Sequence, residues 1–163
     1  AFEADLDLKL IPIFYNLLAN TYNRIKLPYP QIDLFYSLYD TMHPSEMKFF
    51  YVKKGTTILT ILLAFLYNKS IYAYYSGKFD DREYLKMRPD DLLLWEVMRW
   101  GAENGFEIFD WMGAGKPTKE YGVRKFKLEY GGELLELGRF EKIHKPLIYN
   151  IGKAGLSIYQ SIK

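Results

Sequence analysis

The chain has 163 residues, the length of one ordinary domain, with 22 Lys and Arg against 20 Asp and Glu for a formal net charge of +2. That balance gives no overall pull toward nucleic acid, and no DNA partner is expected. Cysteine is absent, which excludes disulfides, thiolate nucleophiles and Cys-ligated metals, and His43 and His144 stand in poor company for metal ligation.

Residues 9–24 carry Leu10, Ile13, Phe14, Leu17, Leu18 and Tyr22 at spacings of three and four, which predicts a helix. Pro28 and Pro30 punctuate the chain, and a second helix is expected over 31–42, with Ile32, Phe35, Tyr36 and Tyr39 on one face. The period then shortens. Glu46–Lys53, Thr56–Asn68 and Ser70–Ser76 are rich in aromatic and β-branched residues and read as three strands of an antiparallel meander. Lys53-Lys54-Gly55-Thr56 and Asn68-Lys69 supply the turns. In the third strand, strict alternation puts Tyr72 and Tyr74 on one face and Tyr75 on the other.

Residues 77–89 read as a loop. Pro89, Asp90 and Asp91 open a helix, their acids suited to capping and to the positive end of its dipole. Leu94, Trp95, Met98 and Ala102 are its expected buried stripe, and Asn104-Gly105 ends it. Phe106–Met112 is expected as a strand, 113–117 as a turn, 118–127 as a short helix and Glu133–Phe140 as a last strand. The tail, 143–162, has apolar residues at helical spacing broken by Gly152 and Gly155. The order predicts an α/β (α+β layered) domain with helices on a mixed sheet.

No apolar run approaches a bilayer-spanning length; the longest is Ile61–Tyr67. The start, Ala-Phe-Glu-Ala-Asp, has no charged lead and no apolar signal region, so a cytoplasmic setting is expected. The missing initiator Met fits a piece of a longer protein. From Lys142 onward the tail holds four Lys and neither Asp nor Glu. Its ordinary reading is a terminal helix docked on the sheet. The alternative is a helix on an anionic membrane face, which would put the protein at the inner membrane surface.

Gly113-Ala-Gly115-Lys116-Pro117-Thr118 is Gly-rich and follows a strand, yet its spacing is too short for a P-loop and Pro follows the Lys, so an NTPase is excluded. Lys116, Lys119, Arg124, Lys125 and Lys127 face one acid, Glu120. A solvated helix face explains most such clusters. Lys127, however, lies between Phe126 and Leu128 and precedes Tyr130-Gly131-Gly132, and neighbouring rings sharpen the field of an ammonium. The aromatic run Tyr72, Tyr74, Tyr75, Phe79 and Tyr84 reads first as packing, with one of its tyrosines a candidate for proton transfer. The pairs Asp80-Asp81, Asp90-Asp91 and Glu133/Glu136 have no distinctive acid–base arrangement, which argues against a glycosidase.

Four blocks in order then carry a resemblance: Tyr74-Tyr75-Ser-Gly77; Pro89-x-x-Leu92-x-x-Trp95; Gly105-Phe-x-x-Phe109-Asp110-Trp-Met-Gly113; and Tyr121-Gly122-Val-x-x-Phe126-Lys127-x-x-Tyr130-Gly131-Gly132. Together they resemble the C-terminal half of a Fem-type, GNAT-fold acyltransferase, the group that includes peptidoglycan-bridge aminoacyltransferases. The resemblance implies a GNAT-like, mostly antiparallel sheet flanked by helices. It implies N-acyl or aminoacyl transfer, from acyl-CoA or another thioester or from an aminoacyl-tRNA, to an amine of a sugar, peptide or cell-envelope precursor. It assigns Lys127 to charge stabilisation on the donor and Tyr75 to the acceptor side. Phe126, Tyr130, Arg124, Trp111 and Lys116 are the expected substrate-binding residues. Acetyl-CoA-dependent GNAT enzymes present a Gly-rich loop to the pyrophosphate at the helix start, where this chain has Met87-Arg88-Pro89-Asp90-Asp91. Fem-type proteins often hold two such domains, so residues 1–163 read as one domain whose partner is a second GNAT-like domain. The rival expectation is a catalytically silent GNAT-like domain that binds a partner or completes a two-domain protein.

Overall fold

The computed structural model describes residues 1–115, 120–138 and 140–162. The chain divides into two compact units, Ala1–Met112 and Gly113–Lys163. In the first, a five-stranded sheet has the order β1 (Phe2–Asp5), β2 (Met47–Lys54), β3 (Thr57–Tyr67), β4 (Ser70–Lys78) and β5 (Ile108–Asp110). The first four strands pair antiparallel, and β5 runs parallel to β4. The expected mixed, mostly antiparallel sheet with flanking helices is therefore present, with the meander β2–β3–β4 at its centre.

Burial follows alternation. Met47, Phe49 and Tyr51 of β2 and Ile61 and Leu63 of β3 face α1 (Leu10–Arg24) and α2 (Ile32–Thr41). Phe50, Val52, Leu62, Ala64 and Leu66 face Leu93 and Val97 of α4 (Pro89–Glu103) on the other side. The central strand is thus apolar on both faces, which is why Thr57–Tyr67 reads as an almost unbroken apolar run. In α1, Leu10, Phe14, Leu17 and Leu18 are buried as expected, but Ile11 takes the place of Ile13, which is exposed.

The stripe of α4 departs further. Leu93, Val97 and Gly101 are buried, whereas Trp95 is 63% exposed. The run Leu92-Leu93-Leu94-Trp95 permits several faces. Gly101 bears on the choice: it packs closely on β4, where an ideal Cβ would lie 2.7 Å from Ile71 Cδ1, the end of a side chain that can shift. Asp90 and Asp91 are not caps of Arg88, the residue preceding the helix. Asp90 accepts from Thr60 Oγ1 (2.7 Å) and Lys78 Nζ (3.0 Å), and Asp91 from Arg88 (2.8 and 3.1 Å).

Three further corrections concern short elements. β1 was not expected. It is held at the sheet edge by register with β2, where Glu3 faces Tyr51, accepts its phenol at 2.6 Å and pairs with Lys53. The stretch read as a loop contains α3 (Arg82–Leu85), whose first amides at Glu83 and Tyr84 bond the Asp81 carboxylate. β5 is three residues long, not seven.

In the second unit, α5 (Gly122–Leu128) is the expected short helix, and α6 (Pro146–Ile162) runs uninterrupted through Gly152 and Gly155. Residues 133–138 form no strand; Leu135 and Leu137 are exposed. On α6, Leu147, Ile148, Ile151 and Ile158 are exposed.

The Glu3–Tyr51 contact makes the edge strand sensitive to alkali. Burial, then the Glu3 carboxylate, push the Tyr51 phenol up to about 12. An unfolded tyrosine ionises near about pH 10. The folded value is the higher one, so this contribution to stability is intact below pH ~10 and is lost as pH rises toward ~12. Tyr51→Phe is expected to flatten that loss, measured as the difference between variant and parent in denaturant unfolding at about pH 8 and about pH 11.

Candidate active site

β4 is the element on which the first unit opens. It pairs with β5 only from Ser70 to Tyr72, opposite Ile108 to Asp110. Beyond Tyr72 the ladder to β5 stops, while β4 continues to Lys78 along β3. The register with β3 slips here: Leu63 lies opposite Tyr75 but Ala64 opposite Ala73, so Tyr74 is an extra, bulged residue. The bulge undoes strict alternation. Tyr74 and Tyr75 both pack on the α1/α2 side, with ring centroids 4.6 Å apart.

Tyr75 is seated in an aromatic cage, 5.9 Å from the rings of both Tyr22 and Phe35. Burial, then Tyr74, raise its phenol above the usual value. It is therefore protonated at neutral pH and suited to donating a hydrogen bond rather than to abstracting a proton. Trp111 is half-buried past the end of β5 and meets Phe109 edge to face at 4.8 Å.

The second unit gathers three of the expected residues, Arg124, Phe126 and Lys127, on α5, with Tyr130 just past its end. Arg124 and Lys127 are three apart and share a helix face. Arg124 Nε donates to the Ala114 carbonyl at 2.9 Å, and Lys127 Nζ to the Gly113 carbonyl at 2.8 Å. Two cations thus clamp consecutive carbonyls of the loop that precedes the helix. Gly115 makes the loop's return feasible: its φ is +73°, and an ideal Cβ would sit 2.7 Å from Cδ1 of Tyr121, at the head of α5. Phe126 and Tyr130 pack edge to face at 5.3 Å. The Gly113 carbonyl helps hold the Lys127 ammonium in a defined position. Part of the clustering of cations here is explained by the negative end of the α5 dipole, which lies at Lys125 and Lys127. Lys116 lies outside the described residues.

Sequence reasoning missed the partners of Asp90. Thr60 is 1% exposed, set within the apolar run of β3, and that buried hydroxyl position was the available signal. It bonds Asp90 Oδ1 and, at 3.4 Å, the Gly77 carbonyl. Asp90→Ala is expected to cost about 1–2 kcal/mol in denaturant unfolding, because it strips the buried hydroxyl of its short acceptor and frees Lys78. Among the described residues no cluster of His, Asp and Glu could hold a metal ion.

Residues 1–127 match the acetyltransferase (GNAT) domain family, and the chain belongs to it. Its relatives narrow the Fem-type resemblance. It is 29% identical over 103 residues to the lipid II:glycine glycyltransferase of Staphylococcus epidermidis, and 30% identical over 102 residues to that of Staphylococcus haemolyticus. Each match spans 60% of this chain and 24% of the relative, so the chain covers about a quarter of the length of these curated relatives. Among solved structures, an aminoglycoside acetyltransferase from a soil metagenome, in complex with sisomicin, superposes with a TM-score of 0.63 at 14% identity, covering 89% of this chain and 96% of that one. A second soil-metagenome aminoglycoside acetyltransferase gives 0.58 at 11% identity, over 88% and 99%. These likenesses establish the GNAT fold. No helix among the described residues is long and apolar enough to cross a membrane.

Proposed function

We propose that this domain transfers an aminoacyl group from an aminoacyl-tRNA ester to a primary amine of a lipid-linked envelope precursor. The observation that carries the reading is the Lys127 ammonium, anchored on the Gly113 carbonyl beside the Phe126–Tyr130 pair. The acceptor amine attacks the donor carbonyl carbon, so that a C–N bond forms and the ester C–O bond breaks. The proton lost by the amine ends on the leaving hydroxyl. Negative charge gathers on the carbonyl oxygen in between, and a pre-positioned cation stabilises it more than the ground state. In the second unit Arg124, Phe126 and Tyr130 are the candidate substrate contacts beside Lys127; in the first, the protonated Tyr75 phenol is a candidate hydrogen-bond donor to the acceptor and Trp111 a further candidate contact.

The start of α4 favours the tRNA donor over acyl-CoA. A pyrophosphate is drawn to free amides and positive potential at a helix N-terminus. Here Asp90 and Asp91 put two carboxylates into the first turn. The glycyltransferase relatives support a glycyl group and a lipid II-type acceptor. Such an acceptor places the work at the inner membrane surface, with a second GNAT-like domain in the longer protein supplying the remaining contacts.

The test is transfer of labelled glycine to lipid II by the full-length protein, from glycyl-tRNA and, separately, labelled acetyl transfer from acetyl-CoA. Turnover with the tRNA ester is expected. Turnover only with acetyl-CoA overturns the donor, and none with either supports the silent, partner-completing domain instead.

A further inference from the structure

Helix α6 presents an apolar arc wider than its polar one. Leu147, Ile148, Ile151, Gly155, Leu156, Ile158 and Tyr159 fall together at 3.6 residues per turn, and Asn150, Lys153, Ser157, Gln160 and Ser161 fall opposite. The helix offers these residues to solvent: Leu147 is 74%, Ile151 63% and Ile158 59% exposed. Its own propensity does not sustain it. In proteins most helical stability comes from packing of an amphipathic face, and Gly152, Gly155 and four isoleucines lower this helix's own propensity. Something must cover the apolar arc.

Charge identifies the cover. From residue 113 onward the sequence has ten Lys and Arg against five Glu, whereas residues 1–112 have twelve against fifteen acids. Around the helix the bias is complete: Lys142 and Lys145 precede it, Lys153 is on the polar arc with its ammonium 5.1 Å from the Tyr149 ring centroid, and neither Asp nor Glu occurs from 142 to 163. A wide apolar face, tyrosines near its border and a wholly positive flank complement an anionic lipid surface.

We infer that α6 is an interfacial helix that lies in the headgroup region of an anionic bilayer and holds the second unit on the membrane. The inference does not depend on the transfer chemistry, since it concerns residues outside the α5 clamp. On this account the apolar arc enters the acyl boundary, while Lys142, Lys145 and Lys153 reach the phosphates.

The experiment is flotation of the full chain with vesicles of phosphatidylcholine alone and with about one-third phosphatidylglycerol. Binding to the anionic vesicles is expected to be about tenfold stronger and to fall several-fold on raising the salt from about 0.1 to 0.5 M, as expected when headgroup attraction contributes. Ile151→Asp and Ile158→Asp lie on exposed positions and should abolish flotation with the circular dichroism of the sheet unit retained. Lys145→Glu with Lys153→Glu should remove the lipid-charge dependence. The inference is overturned if the parent chain stays unbound on anionic vesicles, or if Ile151→Asp floats as well as the parent. It is also overturned if the chain is a dimer that Ile151→Asp dissociates and the vesicles do not bind it, which would make a second copy the cover.

Discussion

Replacing Gly77 by alanine is expected to lower the unfolding free energy by about 3 kcal/mol or more, and the melting temperature by roughly 10 °C. Gly77 lies near the end of β4, opposite Ile61, where α1 crosses the sheet. An ideal Cβ at this position would stand 2.4 Å from the Leu18 amide nitrogen and 2.5 Å from the Leu17 carbonyl carbon. Those are backbone atoms within a helix, so no rotamer change relieves the overlap. α1 must move off β4, and Phe14, Leu17 and Leu18, all buried, move with it. Gly101→Ala is the control. Its Cβ meets only the end of the Ile71 side chain at 2.7 Å, and alanine adds about 1 kcal/mol of helix propensity, so the net change should stay within about 1 kcal/mol. Thermal melts of both variants check the pair. Equal behaviour would mean that α1 is not pressed on β4 as described.

The same contact marks where sequence reading works. Leu10, Phe14, Leu17 and Leu18 repeat at three and four, and the repeat is a local property, so the face of α1 was legible almost to the residue. The meander was legible through its aromatic and β-branched runs and its Gly and Asn-Lys turns. A bulge breaks that period without a local signature, which is why Tyr74 and Tyr75 were assigned to opposite faces yet pack on one. On α4, the approach of Gly101 to Ile71, thirty residues away, bears on the choice between the Trp95 stripe and the Leu93 stripe. Residues 133–138 read as a strand, but a strand exists only when its amides find a neighbouring strand, and the described residues there have none. At the site, the adjacency of Arg124 and Lys127 followed from helical spacing. Their carbonyl partners, Gly113 and Ala114, did not, because backbone acceptors leave no trace in composition. Asp90 looked like a helix cap in sequence because its true partners, Thr60 and Lys78, come from β3 and β4.

Lys127→Met is expected to reduce the turnover of aminoacyl transfer by about 10²- to 10³-fold with little change in KM, the effect of deleting one donor that acts mainly on the developing oxyanion. Methionine keeps the length and much of the apolar stem, so the Phe126–Tyr130 contact should persist. Stability should change by about 1 kcal/mol or less, because the lost hydrogen bond to the Gly113 carbonyl is exposed. Lys127→Arg separates position from charge. It restores a cation, but the planar guanidinium spreads its donors and can take the Gly113 and Ala114 carbonyls together, competing with Arg124. Partial recovery by Arg, well above Met and below Lys, is the expected order, read from initial rates at saturating donor. If Met turns over as fast as the parent, the ammonium has no part in the chemistry, and the α5 cations serve only to hold the loop. If Met raises KM and leaves turnover intact, Lys127 binds donor and transition state equally, and the oxyanion must be stabilised elsewhere, with the Tyr75 phenol the next group to remove.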